Sequence, residues 1–257
     1  MSLAEQIFIF CFGAVIGSFL NAVIWRLRTR ESFLVGRSYC PKCRETLEVL
    51  DLVPILSYLV LGGRCRHCRK AIGSQYLWIE LFVATAFLLA ARVWQPGIAV
   101  GGLPRLLLAW YAIAILTIVF VYDLRYFLVL RSVTVPAAVI FAFANLLLGF
   151  HWSFVLAGMI VAGGFFWLQY KLSKGQWVGG GDMYVGFLMG AILGWPMVLV
   201  ALLMAYVSGA IVGLALLAAK RKHLKSQLPF GPFLAAATLV VMLYGQRIID
   251  WYLGILI

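Results

Sequence analysis

Two aspartates, Asp123 and Asp182, stand at the edges of long apolar stretches in a 257-residue chain that has only nine acidic residues. Asp182 closes the run Gly179-Gly180-Gly181-Asp182, where a flexible backbone delivers a carboxylate to the start of a hydrophobic segment. A charged carboxylate at the centre of a membrane helix costs roughly 2.5 kcal/mol or more, so its presence near hydrocarbon asks for a reason. Two carboxyl groups that meet can share one proton, because like charges at that distance cannot both ionise. The ionised member then activates a water and the protonated one polarises a carbonyl, which is the chemistry of an aspartyl hydrolase. It needs no covalent intermediate and no metal. The same residues leave a blander reading open. Asp123 suits an interfacial ion pair with Arg125, and Asp182 suits an N-cap that answers the helix dipole.

A second constellation is Cys40-Pro41-Lys42-Cys43 and Cys65-Arg66-His67-Cys68, two C-x-x-C pairs in the one sizeable polar segment. Four thiolates on two such knuckles satisfy the tetrahedral demand of Zn²⁺, and basic neighbours favour the thiolate forms. An iron site or a redox dithiol shares the pattern. Four cysteines complete a zinc site without His67. The segment is too small for much of a core, so metal would supply much of its folding energy. Cys11 falls in an apolar run and reads as a packing residue.

Other polar residues carry weaker signals. Glu80 lies about one turn into an apolar segment, where it either answers a helix N-terminus or serves function. Asn21 suits a hydrogen bond between helices, and Arg26 suits a snorkel toward phosphates. Trp25, Trp94, Trp152 and Trp195 read as interfacial anchors. Serine-hydrolase chemistry has no support, since His67, His151 and His223 are scattered and no Ser sits in a nucleophile elbow.

The elements that position these groups follow from composition. Hydrophobic residues make up 64% of the chain and charged residues 12%, with a mean hydropathy of +1.01. A soluble fold of this length cannot hide so much apolar surface, so the fold class is an all-α polytopic membrane protein. Apolar windows predict about eight transmembrane helices, over 4–25, 75–93, 104–122, 132–150, 152–172, 183–195, 197–219 and 229–253. The sixth is short, and Gly194-Trp195-Pro196 turns it into the seventh. Lys and Arg concentrate on one face: ten between 26 and 75, then Arg125, Arg131, Lys171, Lys174, Lys220, Arg221, Lys222 and Lys225. Only Arg92, Arg105 and Arg247 fall on the other. The positive-inside rule makes the rich face cytoplasmic and the N-terminus outside, with both aspartates on the cytoplasmic side. The net charge of +12 is therefore topological, and nucleic-acid binding is a poor explanation for it.

Gly17-Ser18-Phe19-Leu20-Asn21 with Arg26, the two cysteine knuckles, Asp123-Leu124-Arg125 followed by Val135-Pro136, the Gly-Gly-Gly-Asp182 run and Pro229-Phe230-Gly231-Pro232-Phe233 occur in one order. In that order the chain resembles the bacterial type IV prepilin peptidases over nearly its whole length. The stretch from Pro54 through Tyr58 to Gly63-Arg64-Cys65 is similar to that family's insert. The resemblance implies a GxGD aspartyl endopeptidase with Asp123 and Asp182 as catalytic pair. It also implies prepilin and pseudopilin substrates, cut after a glycine at the cytoplasmic membrane surface. Many members then methylate the new N-terminus with S-adenosylmethionine. By the same analogy the zinc insert and Glu80 are candidates for the methylation site; no Gly-rich fingerprint locates a cofactor pocket. Two positions depart from the family pattern. Tyr184 stands where a lysine is usual, and Ala137 where an acid is usual.

The organisation expected is a first transmembrane helix over 1–26, a cytoplasmic zinc-binding insert over 27–74, and a peptidase transmembrane domain over 75–257. The expected location is the bacterial inner membrane, with the lipid bilayer as a standing partner. The rival classes are a cation- or proton-coupled transporter, and a catalytically inactive zinc-bearing assembly protein.

Overall fold

A computed structural model describes residues 1–32, 35–94, 102–219 and 228–256. Lys220, Arg221, Lys222 and Lys225 of the charge pattern lie outside the described residues. Among those described the secondary structure is helical, with two isolated β-bridges in the cysteine segment. The chain forms two compact units, Met1–Leu106 and Leu107–Ile257.

The first unit is built on α1 (Leu3–Thr29) and α3 (Gln75–Val93). A capping box starts α1: Glu5 N–H donates to Ser2 Oγ, and Ser2 N–H donates to Glu5 Oε2. The two helices cross closely because α1 carries Gly13 and Gly17 on one face, the small-xxx-small spacing that lets membrane helices approach. A Cβ on Gly17 would lie 2.7 Å from the Cα of Glu80. Asn21 makes the predicted interhelical bond, its Nδ2 donating to the Tyr76 carbonyl at 3.1 Å. Arg26 does not snorkel. It is buried and donates to the carbonyls of Ser32, Val35, Gly36 and Arg37, so it organises the chain leaving α1. Cys11 is exposed on the surface of α1 rather than packed.

Between these helices lie a 3-10 turn (Val49–Leu52), the short α2 (Leu56–Val60) and the two cysteine knuckles. The knuckles repeat one another. Cys40 N–H donates to Glu45 C=O and Arg44 N–H to Cys40 C=O; at the second knuckle Cys65 N–H donates to Lys70 C=O and Arg69 N–H to Cys65 C=O. Bridges Tyr39–Thr46 and Arg64–Ala71 close the two turns in the same register. Arg66 clamps the second knuckle to the 3-10 turn through Asp51 Oδ1 at 2.8 Å.

The second unit contains most of α4 (Gly102–Tyr126), α5 (Arg131–Leu147), α6 (Trp152–Ser173), α7 (Asp182–Leu193), α8 (Met197–Ala218) and α9 (Gly231–Leu256). These helices match the predicted spans to within a few residues. Six helices of the chain are long and apolar enough to cross a bilayer: α1, α3, α4, α6, α8 and α9. The outer surfaces expose large apolar side chains such as Leu147, Leu203 and Leu214, as a lipid-facing protein does. The chain is thus a multi-pass membrane protein. Helices α5 and α7 are shorter. Around α7 sits the core, where Val185, Leu188, Met189 and Ala191 are wholly enclosed with Phe141, Phe166, Val198 and Leu234. Asn145 Nδ2 secures the end of α7 by donating to the Ala191 carbonyl at 2.8 Å. Trp195 N–H then bonds Phe154 C=O as the chain turns into α8.

Candidate active site

Both aspartates belong to the second unit, and both are buried at helix ends. Asp123 lies in the last turn of α4 and is 6% exposed. Its Oδ2 accepts from the Gly231 N–H at 2.8 Å. That donor is one of the free N–H groups at the start of α9, so the partial positive charge of the helix end faces the carboxylate. Only glycine fits at position 231: a Cβ would stand 2.6 Å from Asp123 Oδ2.

Asp182 is the first residue of α7, with Gly181 rather than Asp182 as the cap. It is 7% exposed. Its Oδ2 accepts from Gly179 N–H at 3.1 Å, while its own N–H donates to Gly179 C=O, so the glycine run folds back on the carboxylate. Asp182 feels the charge of Asp123, which places the two carboxylates within each other's electrostatic reach. Asp123 makes no ion pair with Arg125 among the described residues. The ion-pair reading of Asp123 does not describe it, whereas Asp182 does stand in the first turn of α7, where its charge also answers the helix dipole.

Several neighbours escaped the sequence reading. The Pro-Phe-Gly-Pro-Phe run had been noticed as a pattern, yet its role as donor to Asp123 has no local signature. Arg131 counted only as a topological charge. Its guanidinium lies 4.7 Å from the centre of the Tyr184 ring, so the tyrosine two residues past Asp182 holds a cation by its π face. The chain lacks a lysine at position 184 but keeps a positive group beside it. Tyr206, also in the field of Asp182, donates its hydroxyl to Gln169 Oε1 at 3.0 Å and packs on Phe230. Ala137 is fully enclosed in the core.

In the first unit the four knuckle cysteines converge. The sulfurs of Cys40, Cys43, Cys65 and Cys68 all lie within 4.8 Å of one another, and no histidine among the described residues joins them. Cys43 Sγ and Cys65 Sγ are 4.0 Å apart. A tetrahedral ion with ~2.3 Å bonds to sulfur needs sulfurs a little under 4 Å apart, so the cluster can hold a metal ion. Burial works against the Cys40 thiolate, but N–H groups of Cys43 and Lys42 and the thiols of Cys43 and Cys65 outweigh it, bringing Cys40 down to about 7. The Glu45 backbone favours the Cys43 thiolate, but desolvation and the competing thiols of Cys40, Cys68 and Cys65 prevail, pushing Cys43 up to about 11. Glu80 also belongs to this unit. It is buried, and its Oε2 accepts from Ile55 N–H at 2.7 Å.

The fold and site define a class: multi-pass membrane proteins with two buried carboxylates in each other's electrostatic reach, each bonded by a glycine N–H at a helix end. Residues 11–94 match the family described as the bacterial peptidase A24 N-terminal domain, and residues 110–214 match the type IV leader peptidase family. Similar relatives are prepilin leader peptidase/N-methyltransferases. That of Aeromonas salmonicida is 33% identical, covering 96% of this chain and 93% of the relative. That of Bacillus subtilis is 33% identical, covering 95% and 96%; that of Pseudomonas aeruginosa is 29% identical, covering 94% and 91%. No solved structure matches. The chain belongs to the type IV leader peptidase family.

Proposed function

We propose that this protein cleaves the leader peptide from type IV prepilins and pseudopilins, with Asp123 and Asp182 as the acid–base pair, and then methylates the new amino terminus. The observation that supports the cleavage is a pair of buried carboxylates within each other's electrostatic reach, each held through Oδ2 by one backbone N–H. Among the described residues neither Oδ1 accepts a hydrogen bond, which leaves one oxygen of each aspartate for water and substrate.

The reaction follows from that arrangement. The ionised carboxylate takes a proton from water as the oxygen attacks the scissile carbonyl, and the protonated carboxyl gives its proton to the carbonyl oxygen. The tetrahedral diol collapses, the C–N bond breaks, and a proton passes to the leaving amine. The pair returns to its singly protonated state, and its titration belongs to both groups together. Burial keeps bulk water from screening the developing charge. The substrate's apolar segment can remain in the bilayer while its leader enters the site.

The cysteine cluster is read as a structural zinc site, supported by four sulfurs in tetrahedral reach on a segment with little core of its own. Methylation is supported by the relatives' names; S-adenosylmethionine, when bound, supplies an electrophilic methyl group. The charge bias along the chain supports an inner-membrane orientation with the N-terminus outside and the knuckles and aspartates on the cytoplasmic side.

Mass spectrometry of a prepilin incubated with purified protein and S-adenosylmethionine tests the reading. A shortened, methylated product is expected from the wild type. Asp123→Asn and Asp182→Asn should each lower cleavage by roughly 10²–10⁴-fold. Cleavage near wild-type rates in either variant would overturn the assignment of the pair.

A further inference from the structure

Between the two knuckles, residues 49–61 read Val-Leu-Asp-Leu-Val-Pro-Ile-Leu-Ser-Tyr-Leu-Val-Leu, with Asp51 as the one charged residue. A stretch of this composition folding in water would turn its apolar side chains inward. Here they point out. Val49, Leu50 and Leu52 of the 3-10 turn are exposed, as are Leu56, Leu59 and Val60 of α2, the last at 84%. The spacing i, i+3, i+4 puts the three α2 residues on one helix face. Asp51 is turned the opposite way: its side chain is only 4% exposed and is neutralised by Arg66. Water-facing surfaces rarely gather large apolar side chains in this way.

The attachment of this stretch to α1 and α3 sets its depth. Ile55, just before α2, donates its N–H to Glu80 Oε2 at 2.7 Å, and the same carboxylate accepts from the Ser18 side chain. Both α1 and α3 are long and apolar enough to span a bilayer. Glu80 lies in the second turn of α3, and Ser18 lies inside the uncharged run 6–25 of α1. From Ser18 to the end of that run is about 10 Å of helix. The start of α2 is therefore level with turns that sit in hydrocarbon. Its backbone suits that depth, where every N–H must be satisfied by protein. Glu80 takes the Ile55 N–H, while the carbonyls of Val53, Ile55 and Ser57 take those of Ser57, Leu59 and Leu61. Pro54 has none to satisfy. Gly62 and Gly63, both at positive φ, then turn the chain back toward the second knuckle.

We propose that residues 49–61 form a re-entrant element that enters the bilayer from the side of the knuckles, with the Leu56, Leu59 and Val60 face against lipid acyl chains. The occupant of this face is the bilayer itself, because the face continues, at the same depth, the lipid-contacting surface of two spanning helices. Exposed cations flank the element in sequence, Arg44 before it and Arg64 and Arg69 after it, and these suit anionic headgroups. The cysteine segment is then held by the membrane at its middle as well as through α1 and α3 at its ends. The leaflet is the cytoplasmic one on the orientation proposed above; the insertion itself rests on the spans and is independent of the peptidase and methyltransferase readings.

Depth-dependent quenching tests the insertion on the full-length protein in vesicles of phosphatidylethanolamine and phosphatidylglycerol. A fluorescent non-canonical amino acid replaces Val60, and in separate proteins Val15 or Glu45. Val15 is exposed on α1 one turn from Ser18 and reports lipid; Glu45 is exposed on the first knuckle and reports water. Lipids brominated on the acyl chains should quench the probe at position 60 as strongly as the probe at 15. Aqueous iodide should quench the probe at 45 and leave position 60 dark to it. Should the protein substituted at Val60 not fold, judged by melting temperature, the probe at Leu56 reads the same face. Quenching by iodide with none from the brominated chains would place the element in water and overturn the proposal. Shielding from both quenchers would mean that protein covers the face, a second copy or another partner, and would overturn it equally.

Discussion

The backbone N–H of Gly231 donates to Asp123 Oδ2 at 2.8 Å across 108 residues of sequence. The start of α9 therefore holds one half of the proposed acid–base pair, through a glycine that can perform no chemistry itself.

Gly231→Ala tests that dependence. The new methyl carbon would stand 2.6 Å from Oδ2, with Asp123 Cγ at 3.0 Å, so the carboxylate must turn away. Displacement on this scale costs about 10²-fold in rate. Cleavage kinetics should show that loss in kcat with little change in melting temperature. Near-normal turnover would mean that the hydrogen bond is incidental.

Arg131 and Tyr184 form a pair whose geometry requires an aromatic face but no hydroxyl. Tyr184→Phe should keep cleavage and stability close to wild type, whereas Tyr184→Leu should lose about 1 kcal/mol of stability. Arg131→Gln should match Tyr184→Leu, and the double variant should cost little more than either single one. Chemical or thermal melts of the four proteins give the cycle. Full additivity of the single changes would deny the pair any coupling.

Zinc uptake by the knuckles should strengthen as pH rises. Every ligand must be a thiolate, and the Cys43 proton, held to about 11, has to be displaced at any ordinary pH. Below about 7 the Cys40 proton must leave as well, so apparent affinity should fall more steeply there. Competition with a chromophoric chelator across pH 6 to 9 follows this directly. A flat profile would argue against thiolate ligation. Stripping the metal should also lower the melting temperature.

Arg26→Met removes a guanidinium that serves the carbonyls of Ser32, Val35, Gly36 and Arg37. Those four residues are exposed, so water can replace part of the lost bonding, and the change should cost about 1 kcal/mol. A drop in melting temperature with increased proteolysis near residues 32–37 is the expected outcome. An Arg26→Lys variant should recover only part of it, since one ammonium cannot reach four carbonyls at once.

The helices were legible because lipid imposes a length and an apolar composition that a single sequence displays openly. The knuckles were legible because ligand spacing is local. Asp123 and Asp182 stood out as carboxylates in costly places. What the sequence could not show was which distant backbone groups meet them. Gly231 N–H reaches Asp123 only because the start of α9 comes to the end of α4, and nothing near residue 231 encodes that. Arg131 was counted for charge and turned out to rest on Tyr184. Arg26 was expected at phosphates because snorkelling is what an arginine does at an open helix end, whereas the following loop wraps over it.

Helix α7 runs for twelve residues, about 18 Å, while a bilayer asks for roughly 20 residues of helix. It is walled in by its neighbours, with Val185, Leu188, Met189 and Ala191 wholly buried. A segment of this kind gains little from entering lipid alone, so its place in the membrane depends on helices made before and after it. The proposed catalytic pair is then a product of assembly: chains cut short before α9 would carry both aspartates but lack the N–H that holds Asp123. On the proposed mechanism, full hydrolytic capability would then wait for the last helix to dock.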